Sequence, residues 1–315
     1  MNTFGEKFKL SIFGESHGSA IGVVIDGLPP GFSPDLDAVN NEMARRAPGQ
    51  SKLSTPRAET DAVEILSGLF EGKTTGAPLC GIIRNADTRS EDYAPGLPRP
   101  GHADLTAYVK YKGFADYRGG GHFSGRLTAP LVFAGALAKQ LLAGHGVTIS
   151  ARPLLIGGKP PKEETILNAK QDGDSVGGVV ACVANGLPAG LGEPFFGSVE
   201  SRLSALLFSI PAVKAVEFDD GFTLAGMRGS VANRTPFGIL GGLSTGNALH
   251  FTVAVKPTPS IALEQDTVDL KTGLPAKITV KGRHDPCIIP RALPVIEAAA
   301  AVGLLDLWVI GGFAL

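Results

Sequence analysis

Residues 292–315 hold only two ionisable side chains, Glu297 and Asp306, in an otherwise apolar run long enough to cross a bilayer. A segment of that kind sits either in lipid or at the centre of a core, and the rest of the chain must be arranged around it. The two acids, the Gly311-Gly312 pair and the lack of Lys/Arg anchors beyond Arg291 predict a buried core helix. Residues 1–10 carry Glu6, Lys7 and Lys9 and no apolar run, which is unlike a signal or transit peptide. No membrane is expected as a partner.

With 315 residues, 43% hydrophobic and 19% charged, the chain can bury a substantial core as one large domain or two small ones. A net charge of −1 provides no global field to recruit nucleic acid, so any anion site must be local. Cys80, Cys182 and Cys287 are widely spaced, with no CxxC and no histidine at zinc-ligand distance. We therefore expect no metal site and a reducing, cytoplasmic setting.

The 42 glycines and 23 prolines make up a fifth of the chain without any period, which implies many tight turns. Branched apolar runs predict strands at 8–13, 21–26, 178–184, 215–218, 251–256 and 278–281. Ser33-Pro34 reads as an N-cap followed by proline at the first helical position. Asp35 and Asp37 then fall in the first turn, Arg45 and Arg46 in the last, and Pro48-Gly49 is the stop. Further helices are predicted at 103–112, at 129–143 with Gly144 closing it, and at 198–209. Because strands and helices do not alternate regularly, the class is mixed α and β with antiparallel pairing.

Five segments offer chemistry. Gly14-Glu15-Ser16-His17-Gly18 places a histidine in a turn after a strand, and Arg99-Pro100-Gly101-His102-Ala103-Asp104 places another at a helix entrance. There the helix dipole disfavours an imidazolium and leaves a neutral ring able to accept or shuttle a proton. Residues 118–126, from Arg118 through Gly119-Gly120-Gly121, His122, Phe123, Ser124 and Gly125 to Arg126, form a glycine loop bracketed by arginines. Its amides and guanidinium groups suit an anion. Lys256-Pro257-Thr258-Pro259-Ser260 offers an ammonium and two hydroxyls on a stiffened stretch, and Gly282-Arg283-His284-Asp285-Pro286 clusters polar groups at a strand end. Judged one at a time, these segments fit structural turns at least as well as sites. His145, His250, Trp308 and the cysteines read as structural.

Taken together they closely resemble the chorismate synthase family. GESHG at 14–18, RPGHAD at 99–104, DYRGGG at 116–121, GLPAGLGEP at 186–194, GILGG at 238–242, KPTPS at 256–260 and GRHDPC at 282–287 occur in the family's order along the whole chain. The resemblance implies an α+β fold, a β-α-β sandwich of antiparallel sheets with helices between them, as a single domain over 1–315 in a homotetramer. It implies 5-enolpyruvylshikimate 3-phosphate as substrate and reduced FMN as cofactor, supplied by an external flavin reductase or other reductant. It also implies residue roles. His17 lies near the leaving phosphate, His102 protonates the reduced flavin, and Asp285 works with flavin N5 to remove the C6 proton. Ser16, Arg46, Lys52, Arg99, Ser124, Arg126 and Arg283 surround the substrate. His122, Phe123, Ser124, Ala212, Gly241, Lys256, Pro257, Thr258, Pro259, Ser260 and Arg283 hold the flavin.

Lys52 stands where arginine is common in the family, Phe123, Gly125 and Leu127 where Ser, Ala and Glu are usual, and Pro211 where Asn is common. The stretches 158–170 and 228–238, and the C-terminus, are shorter than typical, so water exclusion and turnover are expected to be lower. Two other function classes are consistent with these segments. One is a flavin- and anion-binding paralogue that has lost its chemistry with its loops; the other is a redox enzyme that consumes NADPH.

Overall fold

The computed structural model describes residues 2–49, 61–86, 90–280 and 285–314. Apolar side chains alternate along the strands, so each sheet has one face to bury. The first sheet comprises β1 (Thr3–Phe4), β2 (Lys9–Gly14), β3 (Ala20–Asp26), β4 (Glu64–Ser67) and β5 (Leu79–Arg84), in the order β1-β2-β3-β5-β4, all antiparallel. The second comprises β6 (Thr148–Ile156), β7 (Gly178–Asn185), β8 (Val213–Phe218) and β9 (Leu249–Val255), in the order β8-β9-β7-β6 and again antiparallel. A hairpin of β10 (Gln265–Val268) and β11 (Pro275–Ile278) stands apart from both.

The helices are α1 (Leu36–Arg46), α2 (Asp104–Lys110), α3 (Thr128–Ala143), α4 (Glu163–Gln171), α5 (Val199–Leu207) and α6 (Ile289–Ile310). The middle layer is α3 and α6. Helix α3 packs on β2, β3 and β5 of the first sheet, α6 packs on β6 and β7 of the second, and the two helices pack on each other. They approach closely because Gly135 lacks a side chain: a Cβ there would lie 2.2 Å from that of Ala298. The apolar C-terminal run is thus a core helix, buried along 17 of its 22 residues. A helix apolar all round must be enclosed on all sides, and here α3, α5, α1 and the second sheet enclose it. The architecture is the sandwich with central helices that the family resemblance implies.

Several boundaries differ from the sequence reading. Helix α1 begins at Leu36, and Asp35 is its N-cap in place of Ser33. The Asp35 Oδ1 accepts the Ala38 N–H at 2.9 Å, while the Asp35 N–H donates to Gln140 of α3 at 2.8 Å. Asp caps as well as Ser does, and docking to α3 selects it. Helix α2 ends at Lys110 because Lys112 and Gly113 turn at positive φ. Gly144 closes α3 at φ −57°, and the left-handed turn comes at Gly146 instead. The predicted strand at 278–281 is displaced to Pro275–Ile278, its last residue lying outside the described ones.

Candidate active site

Turns and the ends of strands and helices from both halves of the sandwich line a cavity of about 560 Å³. Its lining includes Ser16, Arg46, Arg99, His102, His122, Phe123, Ser124, Arg126, Ala212, Lys256, Thr258, Pro259, Ser260 and Asp285, so most of the residues singled out in the sequence converge there. Pro257 does not line the hollow itself. Gly241 is not brought to it within the chain: it turns the small hairpin Ile239–Leu240/Leu243–Ser244, at φ +63°. Lys52 and Arg283 lie outside the described residues.

The Gly119-Gly120-Gly121 turn is the geometric centre of the two-histidine arrangement. All three glycines have positive φ. A Cβ on Gly119 would stand 2.2 Å from the His17 ring and 2.9 Å from Ser16 Oγ, and one on Gly120 would stand 2.7 Å from the His102 ring. Only glycine lets the backbone lie against both imidazoles, so two motifs 85 residues apart meet on the third. The Ser16 N–H donates to the Gly121 carbonyl at 3.1 Å and locks the first motif to it. His17 does not itself line the cavity. It sits beneath Gly119, edge-on to Tyr93 with ring centroids 5.2 Å apart. His102 is not the cap of α2, a place taken by Ala103; its Nδ1 lies 2.6 Å from Asp104 Oδ1.

The cations are held by carboxylates behind the cavity wall. Buried Asp61 bridges two of them: Oδ2 accepts from Arg46 Nη1 at 2.5 Å, and Oδ1 accepts from Arg126 Nη1. The remaining nitrogens of Arg46 donate to Thr128 Oγ1 and the Gly125 carbonyl, and Arg126 Nε donates to Asn85 Oδ1 at 2.8 Å. Burial disfavours charge on Asp61, but the two guanidinium groups outweigh it and hold the carboxyl below its ordinary range. Asp61 also has φ +50°, an uncommon conformation for a non-glycine residue.

Asp104 receives a two-pronged contact from Arg99, at 2.7 and 2.9 Å. Against the cost of burial, Arg99 and His102 hold the Asp104 carboxyl far below the usual value. Arg99 also donates to Ser260 Oγ at 3.2 Å, and its guanidinium lies 5.3 Å from the Tyr93 ring centroid. The Ser124 hydroxyl accepts the Arg126 N–H, and His122 Nδ1 donates to the Gly14 carbonyl at 2.7 Å, a tie between loop and strand. Ala212, at φ +75°, accepts the Lys256 N–H at 2.9 Å and so joins its loop to the KPTPS segment.

Among the lining residues six carry positive charge, Arg46, Arg99, Arg126, Lys214, Lys256 and Arg291, against the single acid Asp285. On a chain of net charge −1, this local excess of cations suits a ligand with several anionic groups. The Thr258 Oγ1 is buried there with no hydrogen-bond partner among the described residues, a polar atom left for a ligand. Sequence reasoning missed Asp61, Tyr93, Asn85 and Arg291 as parts of this site. Arg291 alone had a local signal, its place just after the GRHDPC segment.

The chorismate synthase family model matches residues 8–309. The chain belongs to the chorismate synthase family. It is 48% identical to a chorismate synthase of Chitinophaga pinensis over 97% of this chain and 96% of the relative. Identity is 43% to one from Dehalococcoides mccartyi, over 97% of this chain and 96% of the relative, and 43% to one from Methanocaldococcus jannaschii, over 99% and 97%. A solved chorismate synthase crystal structure superposes with a TM-score of 0.74 at 25% identity, covering 98% of this chain and 93% of that one. The family makes the protein an enzyme of the lyase class. The alignments to the Dehalococcoides and Methanocaldococcus members run over 350 and 369 positions, more than the 315 residues here, whereas that to the Chitinophaga member runs over 320. This chain is thus shorter inside its length than the Dehalococcoides and Methanocaldococcus members, and close in length to the Chitinophaga one.

Proposed function

We propose that the protein converts 5-enolpyruvylshikimate 3-phosphate to chorismate by anti-1,4-elimination of phosphate, with reduced FMN bound beside the substrate and no net redox change. The observation that carries this reading is the gathering of His102, Asp285 and six cations on one cavity, with the His17 imidazole directly behind the Gly119 turn that lines it. Its size falls in the range of small-molecule sites, roughly 300–1,000 Å³. The substrate has a phosphate and two carboxylates, which fits the excess of guanidinium groups.

The donor set also fits the flavin. Lys256, Thr258 and Ser260, with the His122–Ser124 turn and the Ala212 backbone, would hold it, and the Thr258 hydroxyl, without a partner among the described residues, is a donor or acceptor for it. When bound, reduced FMN supplies electron density to the allylic centre and a basic nitrogen near the C6 proton. Arg46 and Arg126, preset by Asp61, bind and orient anionic groups of the substrate without reorganising. The His17 imidazole, beside Ser16 under Gly119, places a proton at the departing phosphate oxygen, an effect of about 10²–10⁴ in rate. His102, braced by Asp104, holds a proton toward the flavin. Asp285 is the chain's own base for the C6 proton.

We further infer a cytoplasmic homotetramer fed by an external flavin reductase. Three free thiols suit a reducing compartment. Phe114, Phe195, Phe196 and Phe222 stand more than 80% exposed on one chain, as interface residues do.

An anaerobic assay with substrate and FMN tests the reading. Phosphate and chorismate are expected in equal amounts with catalytic reduced FMN, and none with oxidised FMN. Binding without turnover would leave the impaired paralogue, and stoichiometric NADPH consumption a redox enzyme.

A further inference from the structure

Asp285 is 9% exposed and faces the cavity. Arg291 Nη1 donates to Asp285 Oδ2 in a short contact, and Arg291 Nε donates to the carbonyl of Arg46 at 2.9 Å. We propose that Arg291 is a positioning residue for Asp285, fixing the orientation of that carboxylate at the cavity wall from an anchor on the end of α1. The proposal rests on the reading of Asp285 as the base for the C6 proton.

The location of Arg291 argues against a role in stability alone. It is the third residue of α6, where the helix dipole opposes a cation. Burial pulls its guanidinium pKa down from the ordinary value, and the pull of Asp285 in the other direction does not restore it; Arg46 nearby adds like-charge repulsion. Arg291 and Asp285, 20% and 9% exposed, are largely withdrawn from water, and a pair so placed is weak evidence for stability. What the arrangement does secure is geometry. Arg46 uses its side chain on Asp61 and its carbonyl on Arg291, so the anion-binding guanidinium and the orientation of the Asp285 carboxylate share one frame. Nε and Nη1 of Arg291 are committed to the Arg46 carbonyl and to Asp285, so the protein sets the orientation of this guanidinium before any ligand arrives.

The test compares the wild type with Arg291→Gln, Arg291→Lys, Asp285→Asn and the Arg291→Gln/Asp285→Asn double variant. Turnover is measured with reduced FMN. Substrate binding is measured by calorimetry with oxidised FMN, where no turnover interferes. For Arg291→Gln we expect kcat to fall about a hundredfold, the usual result of a reacting group displaced by about 1 Å. KM and the calorimetric Kd should stay within about threefold. Arg291→Lys, which keeps the charge and loses the fork, should recover part of kcat. The double variant should be no slower than Asp285→Asn, because the two residues act as a unit.

Unchanged kcat in Arg291→Gln, multiplicative losses in the double variant, or a tenfold weaker Kd marking Arg291 as an anion ligand would each overturn the proposal. If Arg291→Gln does not fold, Arg291→Lys decides by the same split between kcat and Kd. An inactive wild type would overturn the functional reading and this proposal with it, whereas an active wild type with a fully active Arg291→Gln overturns this proposal alone.

Discussion

Arg45 and Arg46 are adjacent at the end of α1 and serve opposite ends. Arg45 grips Glu297 with two nitrogens, at 2.7 and 2.9 Å, and Glu297 also accepts from Lys139 and from the Ala151 N–H at 2.9 Å. That carboxylate therefore cross-links α1, α3, α6 and β6. Arg46, about 100° further round the helix, meets Asp61 and lines the cavity. The ion-pair chemistry is the same; the difference lies in what borders it. Where the carboxylate is buried and borders no hollow, as with Glu297 beneath the exposed Arg45, the pair ties elements together. Where a hollow lies on one side, the same pair presents fixed charge to a ligand at little reorganisation cost.

If that division is right, substitutions at the cavity should affect chemistry and those in the core should affect stability. The largest effect belongs to the cavity: His17→Ala and Asp285→Asn should each lower kcat about 10²–10⁴-fold, with the thermal midpoint of His17→Ala little changed. Near-wild-type rates in either variant would break the role assignment. Asp306 is the core counterpart. Fully buried, it accepts from the Glu6, Lys7 and Phe8 N–H groups at 2.8–3.1 Å and from Arg202 at 2.6 Å. Asp306→Ala leaves those donors without an acceptor and should cost ~3–5 kcal/mol in urea unfolding, while kcat per folded molecule stays unchanged. Gly119→Ala tests the boundary between the two classes. Its φ of +59° and the 2.2 Å approach to His17 predict ~1–3 kcal/mol of lost stability together with a displaced imidazole and reduced kcat. Loss of one without the other would show that the glycine turn does not seat the histidine.

The sequence displayed the core more openly than the site. The C-terminal run could only be enclosed, and its two acids marked where cross-links attach. Strands β5 and β6 stayed hidden for local reasons. Gly81 interrupts β5, where a Cβ would lie 2.5 Å from the Phe133 ring, and Pro153 interrupts β6, which tolerates it as an edge strand bulged between Pro153 and Leu155. Convergence of the motifs was legible only through their order in a family, because a turn histidine has the same local pattern whether or not it faces a cavity. Asp61 had no local signal at all. Its partners lie 15 and 65 residues away, and its meaning exists only once Arg46 and Arg126 are side by side.

The smallest predicted effect divides the two carboxylates by pH. Burial opposes charge on Glu297, but Arg45, Lys139 and the Ala151 N–H prevail and hold its pKa below 4.5. Asp61 is likewise held low by Arg46 and Arg126. A carboxyl that binds its proton less tightly when folded adds stability above its unfolded pKa. That contribution drains away as pH falls through the folded value. The stability gap between wild type and Glu297→Gln should therefore narrow by on the order of 1–2 kcal/mol from pH 7 to pH 3, and Asp61→Asn should show a similar narrowing. What separates them is the ligand: at pH 7 Asp61→Asn should change the calorimetric Kd for substrate, and Glu297→Gln should leave it as in wild type. An altered Kd in Glu297→Gln would mean that the core cross-link also sets the cavity's charge, because Arg45 and Arg46 share one helical turn and a shift in either is transmitted to the other.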